Sequence, residues 1–129
     1  MKPPIIVYEN GDVSIFASVE DVKIDLEPID VENNIYVAYD SEGRLLSLAP
    51  TSPRITIQSA EQEPSHADEL HAILFEFLLY VGLPAEWLRQ ASLQELVERA
   101  MEYKIDFTRH PFESTYTFFK RLFGRAADS

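Results

Sequence analysis

The stretch Ile5-Ile6-Val7-Tyr8-Glu9-Asn10-Gly11-Asp12-Val13-Ser14-Ile15-Phe16-Ala17 decides the fold. Two runs rich in β-branched residues flank Asn10-Gly11. Both central positions of a tight hairpin turn need positive φ, and Asn-Gly is the pair that accepts it most readily. The segment therefore predicts a β-hairpin.

Working outward, Ser18-Val19-Glu20-Asp21 has the spacing of a helix start, in which the serine oxygen accepts from an amide three residues on. Val19, Val22 and Leu26 continue at helical spacing, and Pro28 is read as the end of the run. Val22-Lys23-Ile24-Asp25-Leu26 also alternates as a strand would, so a strand is the rival reading. Ile35 to Tyr39 predicts a third strand. Asp40-Ser41-Glu42-Gly43 is a turn in which Gly43 supplies positive φ, and Arg44 to Leu48 returns as its hairpin partner. Pro50 and Pro53 frame a break, and Ile55-Thr56-Ile57 predicts a fifth strand at a sheet edge.

Ser59 to Pro64 is a polar connector, and helical patterns follow it. With Ser65 as its expected cap, the next segment carries Leu70, Ile73, Leu74, Phe77, Leu78 and Val81 as one stripe at i, i+3, i+4, i+7, i+8 and i+11. Phe75, Leu79 and Tyr80 widen that stripe before Gly82 and Pro84 stop the helix. Pro84 to Gln90 predicts a single turn bearing Trp87 and Leu88. Ser92-Leu93-Gln94-Glu95 is a capping box opening an amphipathic helix to about Lys104. Phe112, Tyr116, Phe119 and Phe123 predict a last helix from Glu113 to Phe123.

Strands followed by helices favour an α+β domain over a doubly wound sheet. The expected architecture is an antiparallel sheet of four or five strands with a short inserted helix and a C-terminal helical half packed on one face. The 129 residues suit one domain, β-rich over 1–59 and helical over 65–125. A hydrophobic content of 46% is enough to build a core.

The net charge is −11. It is unevenly placed: residues 1–102 hold 19 acids against 6 bases, whereas residues 103–129 hold 3 against 5. Such a field repels a phosphate backbone and an anionic membrane surface, and attracts a basic partner. Aromatic and basic residues in the C-terminal segment are read as a core-facing helix with a solvated side rather than a single-strand binding surface. The chain has no cysteine, which removes disulfides and Cys-ligated zinc. The first residues lack a signal-peptide pattern, and the longest apolar run falls short of the ~20 residues a bilayer needs. A cytoplasmic location is expected.

The chemistry-bearing residues form no known motif. His66 and His71 stand five residues apart, ~140° around a helix, so they cannot chelate one ion from one face. Their spacing fits neither of the zinc-peptidase helix patterns. His110 has no sequence-local partner. The carboxylates lack calcium-loop spacing, the glycines are isolated, and no serine sits in a nucleophile elbow. No metal, cofactor or catalytic residue is expected, although a small enzyme with an unrecognised site is kept as an alternative.

Ser18-Val19-Glu20-Asp21, Glu27-Pro28-Ile29-Asp30-Val31-Glu32-Asn33, Tyr36 to Asp40 and Gly43-Arg44-Leu45-Leu46 together resemble a group of small uncharacterised bacterial proteins. In those proteins an E-x-x-D turn and a Y-D-x-x-G-R hairpin recur. Some small acidic proteins of this kind are immunity proteins encoded beside bacterial toxins. The likeness covers about the first 50 residues. Together with the acidic N-terminal half, the small size and the missing catalytic motifs, it leads to the expectation of a non-enzymatic protein-binding module that neutralises a basic toxin, with no functional residue carried over from the resemblance. The acidic stretch nominates Glu27, Asp30, Glu32, Asp40 and Glu42 as partner-binding residues. The over-wide apolar helix raises a second expectation, a structural or accessory homodimer.

Overall fold

A computed structural model describes residues 1–33, 35–51 and 53–109, with side chains as far as Tyr103. The elements are β1 (Ile5–Glu9), β2 (Asp12–Phe16), α1 (Val19–Asp25), α2 (Pro28–Glu32), β3 (Val37–Tyr39), β4 (Leu45–Thr51), β5 (Arg54–Ser59), α3 (Ala67–Tyr80), α4 (Ala85–Gln90) and α5 (Leu93–Arg109). The fold is α+β. Its five strands form one antiparallel sheet in the order β2-β1-β3-β4-β5.

The expected hairpin turns are present. Asn10 has φ 45° and Gly11 φ 93° between β1 and β2, and Gly43 has φ 87° between β3 and β4. Side chains alternate across the sheet. Ile5, Val7, Phe16, Ala38, Leu46 and Ile55 face one way and pack with Val22, Leu26 and Val31 of the α1–α2 segment. Ile6, Ile15 and Tyr39 face the other way and pack with Leu70, Leu74, Leu78, Leu88 and Leu96 of the C-terminal helices. β1 is thus buried on both faces, which accounts for its unbroken apolar run. The C-terminal helices lie on one face as expected. They leave that face of the β4–β5 hairpin bare, where Ser47, Ala49, Thr56 and Gln58 are exposed.

β3 begins at Val37 rather than Ile35, and α5 runs to Arg109, past its expected end near Lys104. Three further differences from the sequence reading turn on a cap or a proline. α1 does begin at Ser18, whose hydroxyl accepts from the Asp21 N–H at 3.2 Å. It ends at Asp25, and Pro28 then opens a second helix rather than only closing the first. Proline suits that position, because the first-turn N–H has no intrahelical acceptor. Pro50 lies inside β4, opposite Ile55. β3 is too short to reach it, so the missing N–H breaks no ladder bond on that side. Third, α3 is capped by His66 without a side-chain capping bond. The Ser65 hydroxyl instead donates to Glu61 at 2.5 Å. The helix expected from Glu113 to Phe123 lies outside the described residues.

The capping box is formed: the Ser92 oxygen accepts from Glu95 N–H, and the Glu95 carboxylate accepts from Ser92 N–H, each at 3.1 Å. The half-buried His71 donates from Nε2 to the Ala91 carbonyl at 3.0 Å, tying α3 to the α4–α5 link. Leu70, Leu74 and Leu78 of α3 are fully buried, whereas Leu79 is 43% and Tyr80 66% exposed. Among the described residues, the apolar circumference of α3 is therefore only partly covered, with Leu79 on its exposed side.

Candidate protein-binding surface

The five nominated carboxylates fall into two separate places. Glu27 caps α2, Asp30 lies within it and Glu32 ends it. Glu27 and Glu32 are exposed, and Asp30 is half-buried. The Tyr36 hydroxyl donates to Asp30 at 3.3 Å. Burial, then the charges of Asp30, Glu9 and Asp25, push the Tyr36 hydroxyl up to about 12. Of these carboxylates, Asp30 is the one in contact with the hydroxyl. The location is the end of the sheet where β1 runs out at Glu9 and β3 begins.

Asp40 and Glu42 sit at the opposite end. β3 runs antiparallel to β1, with Val37 opposite Tyr8 and Tyr39 opposite Ile6, so Asp40 emerges beside the start of β1. Asp40 is 0% exposed. One carboxylate oxygen accepts from the N–H groups of Glu42 (3.0 Å) and Arg44 (2.9 Å). The other accepts from the Lys2 N–H at 3.1 Å and from the Arg44 guanidinium. Burial raises the Asp40 carboxyl, but the backbone bonds and the guanidinium outweigh it and hold it below its ordinary value. The same turn is bound from outside, with Ser41 N–H donating to Lys2 O at 2.9 Å and His66 N–H to Gly43 O at 3.0 Å. Asp40 thus organises the turn, the first strand and the start of α3, and it presents no free oxygen edge to a partner. Glu42 is half-buried beside it, 3.7 Å from the Arg44 guanidinium.

Glu61 is a second local organiser. It accepts from Ser65 Oγ, from Leu45 N–H at 2.9 Å and from His66 Nδ1 at 3.0 Å. The Ser65 hydroxyl and the Leu45 N–H lead in drawing its carboxyl down to about 2. Ser65, His66 and Glu61 do not form a nucleophile relay, because the serine donates directly to the carboxylate and not to the histidine. A polar groove of about 680 Å³ beside them is lined by Lys2 and Arg44 as well as Glu42 and Glu61, so it presents no single charge.

The sequence reading passed over two apolar residues on the α1–α2 segment. Ile24 is 67% and Ile29 63% exposed. Once Val22 and Leu26 point inward four residues apart, Ile24 lies ~200° from Val22 and must face outward. Around these isoleucines stand Glu20, Asp21, Asp25, Glu27 and Glu32, all exposed. Among the described residues the one cation of this segment, Lys23, is paired with Glu20 at 3.5 Å. The result is two apolar side chains among carboxylates that have no cationic partner within the segment.

Among the described residues, no three His, Asp or Glu side chains are grouped to hold a metal ion, and no helix is long and apolar enough to cross a membrane. No protein-family profile, curated protein or solved structure matches the chain.

Proposed function

We propose that this chain is a non-enzymatic protein-binding module that captures a basic partner on its α1–α2 segment, in the manner of a cytoplasmic immunity protein neutralising a basic toxin. The observation that carries the reading is the pair of exposed isoleucines, Ile24 and Ile29, set among Glu20, Asp21, Asp25, Glu27 and Glu32. An apolar centre that loses water on docking supplies affinity, ~1.5–3 kcal/mol for each large aliphatic side chain fully buried. A single-sign rim supplies steering and partner choice. Asp30 belongs to this surface through its place on α2, and Glu42 would be a peripheral contact at the other end of the sheet. Asp40 acts by shaping the turn.

The test uses the product of the reading frame adjacent to this gene. Wild type should bind it. Ile24→Asp and Ile29→Asp should each weaken binding by about 30-fold or more, the scale of a central contact. Glu27→Lys and Glu32→Lys should slow association and flatten its salt dependence. A basic neighbour that binds all variants alike overturns the surface, and one that does not bind at all overturns the immunity reading.

A second reading, an accessory homodimer, is favoured by one feature. Leu79, Tyr80 and Trp87 are exposed apolar residues on the C-terminal helices, away from the acidic segment.

A further inference from the structure

A cleft of about 300 Å³ opens between α3 and the end of the sheet where β1 finishes and β3 begins. Tyr8, Val37 and Tyr39 line it from the strands, and Glu69, Ala72, Ile73 and Glu76 from α3. Its position follows from the register. Tyr8 pairs with Val37 and Ile6 with Tyr39, so Tyr8, Val37 and Tyr39 all project toward α3. Glu69 and Glu76 are seven residues apart, ~20° around the helix and ~10 Å along it, so both face the same way.

The polar lining is suited to a hydrogen-bond donor. Glu69 and Glu76 are exposed acceptors. Tyr39 is only 1% exposed and adds part of an aromatic wall to the cleft beside Glu69. Among the described residues no lysine or arginine lines the cleft. Its walls are otherwise aromatic and aliphatic. A planar cation that carries several donors and stacks on rings matches all of these properties, and that group is a guanidinium. An ammonium supplies the charge but not the flat face. The volume stands at the lower limit of the ~300–1,000 Å³ found for small-molecule sites, which suits one side chain better than a larger ligand.

We propose that this cleft receives an arginine side chain projecting from a protein partner. The proposal rests on the protein-binding reading for the source of the arginine. It places a second anchor on the opposite face of the sheet from the acidic α1–α2 segment, near the same end. A partner that reaches both would grip the sheet end rimmed by Glu9, Asp25, Asp30, Glu69 and Glu76.

The experiment titrates the whole chain with N-acetyl-arginine amide, followed by amide and tyrosine-ring NMR shifts. Saturable shifts should appear at Tyr8, Val37, Tyr39, Ala72 and Ile73. N-acetyl-lysine amide should bind severalfold more weakly. Glu76→Gln changes an exposed side chain outside the core and should weaken the arginine probe by about fivefold to tenfold, whereas Glu32→Gln should leave it unchanged. Shifts that do not saturate, that spread equally over the other carboxylates, or that ignore Glu76→Gln overturn the proposal. If the probe saturates the cleft while the adjacent gene product fails to bind, the site stands and the immunity reading falls. If the adjacent product binds Glu76→Gln and wild type alike and the probe gives no saturable shift, the cleft alone falls.

Discussion

Replacing Asp40 by alanine should be among the most damaging single changes to an acidic residue of this chain. The carboxylate is fully buried and accepts from three backbone N–H groups and from a guanidinium whose side chain is 15% exposed. Removing one partner of a buried ion pair costs ~3–5 kcal/mol, because the other charge is left uncompensated. The backbone donors add to the loss, and water entering the vacated space offsets part of it. A figure of ~4 kcal/mol follows, against a total stability of ~5–15 kcal/mol for a domain of this kind. With a urea m-value of ~2 kcal/mol/M, the unfolding midpoint should fall by about 2 M. Glu42→Ala, which removes a half-exposed contact at 3.7 Å, should cost under ~0.5 kcal/mol. Asp40→Asn should lie between them. Its oxygen can still accept from Glu42 and Arg44 N–H, but its NH₂ group would face the Lys2 N–H and the guanidinium. Acid provides an independent check. The folded carboxyl is held below its ordinary value, so its contribution is full above the unfolded pKa, ~3.9, and is lost as pH falls through the folded value. The stability gap between wild type and Asp40→Ala should therefore narrow below about pH 4. A midpoint shift under ~0.5 M urea at pH 7, or a gap that is constant from pH 7 to 3, would refute the reasoning.

Gly43→Ala should cost ~3 kcal/mol or more in urea unfolding, because the position has φ 87° and a Cβ there would run into the backbone of Ala67 at the start of α3. Gly11→Ala is the control, since φ is similar but the space around it is open. It should cost only ~1–2 kcal/mol, and equal losses at the two positions would contradict the packing argument. Leu79→Glu tests the homodimer: light scattering across a concentration series should show a folded monomer if Leu79 lies at an interface of the parent dimer. A monomeric wild type at every concentration would remove that reading.

The sequence was most legible where the deciding chemistry is local. Asn10-Gly11 and Gly43 are turns because the pattern names residues that accept positive φ, and the Ser92–Glu95 box forms because its partners stand three residues apart. Pro28 and Pro50 were harder to place. A proline shows that an N–H is missing, but not whether that donor is absent from a helix start, a loop or the unpaired side of a strand. Only the short reach of β3 makes Pro50 harmless within β4. The connector was misread at Ser65 for a similar reason, since Glu61 competes for the hydroxyl that a capping pattern assigns to the helix.

The carboxylates show where local reading stops. Glu27, Asp30 and Glu32 stay together because one short helix and its N-cap carry them, so their grouping could be inferred from their spacing. Asp40 belongs to the same acidic run by composition, yet its role is set by the Lys2 N–H, which lies 38 residues away in the chain. A carboxylate that meets several buried donors becomes part of the framework, whereas one that meets none stays available at the surface. The cleft beneath Glu69 and Glu76 extends this logic to a site. Its residues come from β1, β3 and α3, and no sequence window holds Tyr8, Tyr39 and Glu76 together. What brings them together is the antiparallel register that turns both tyrosines toward α3. That register depends on the turn that Asp40 closes, so loosening the turn should also loosen the arginine cleft at the far end of β3, without changing any residue that lines it.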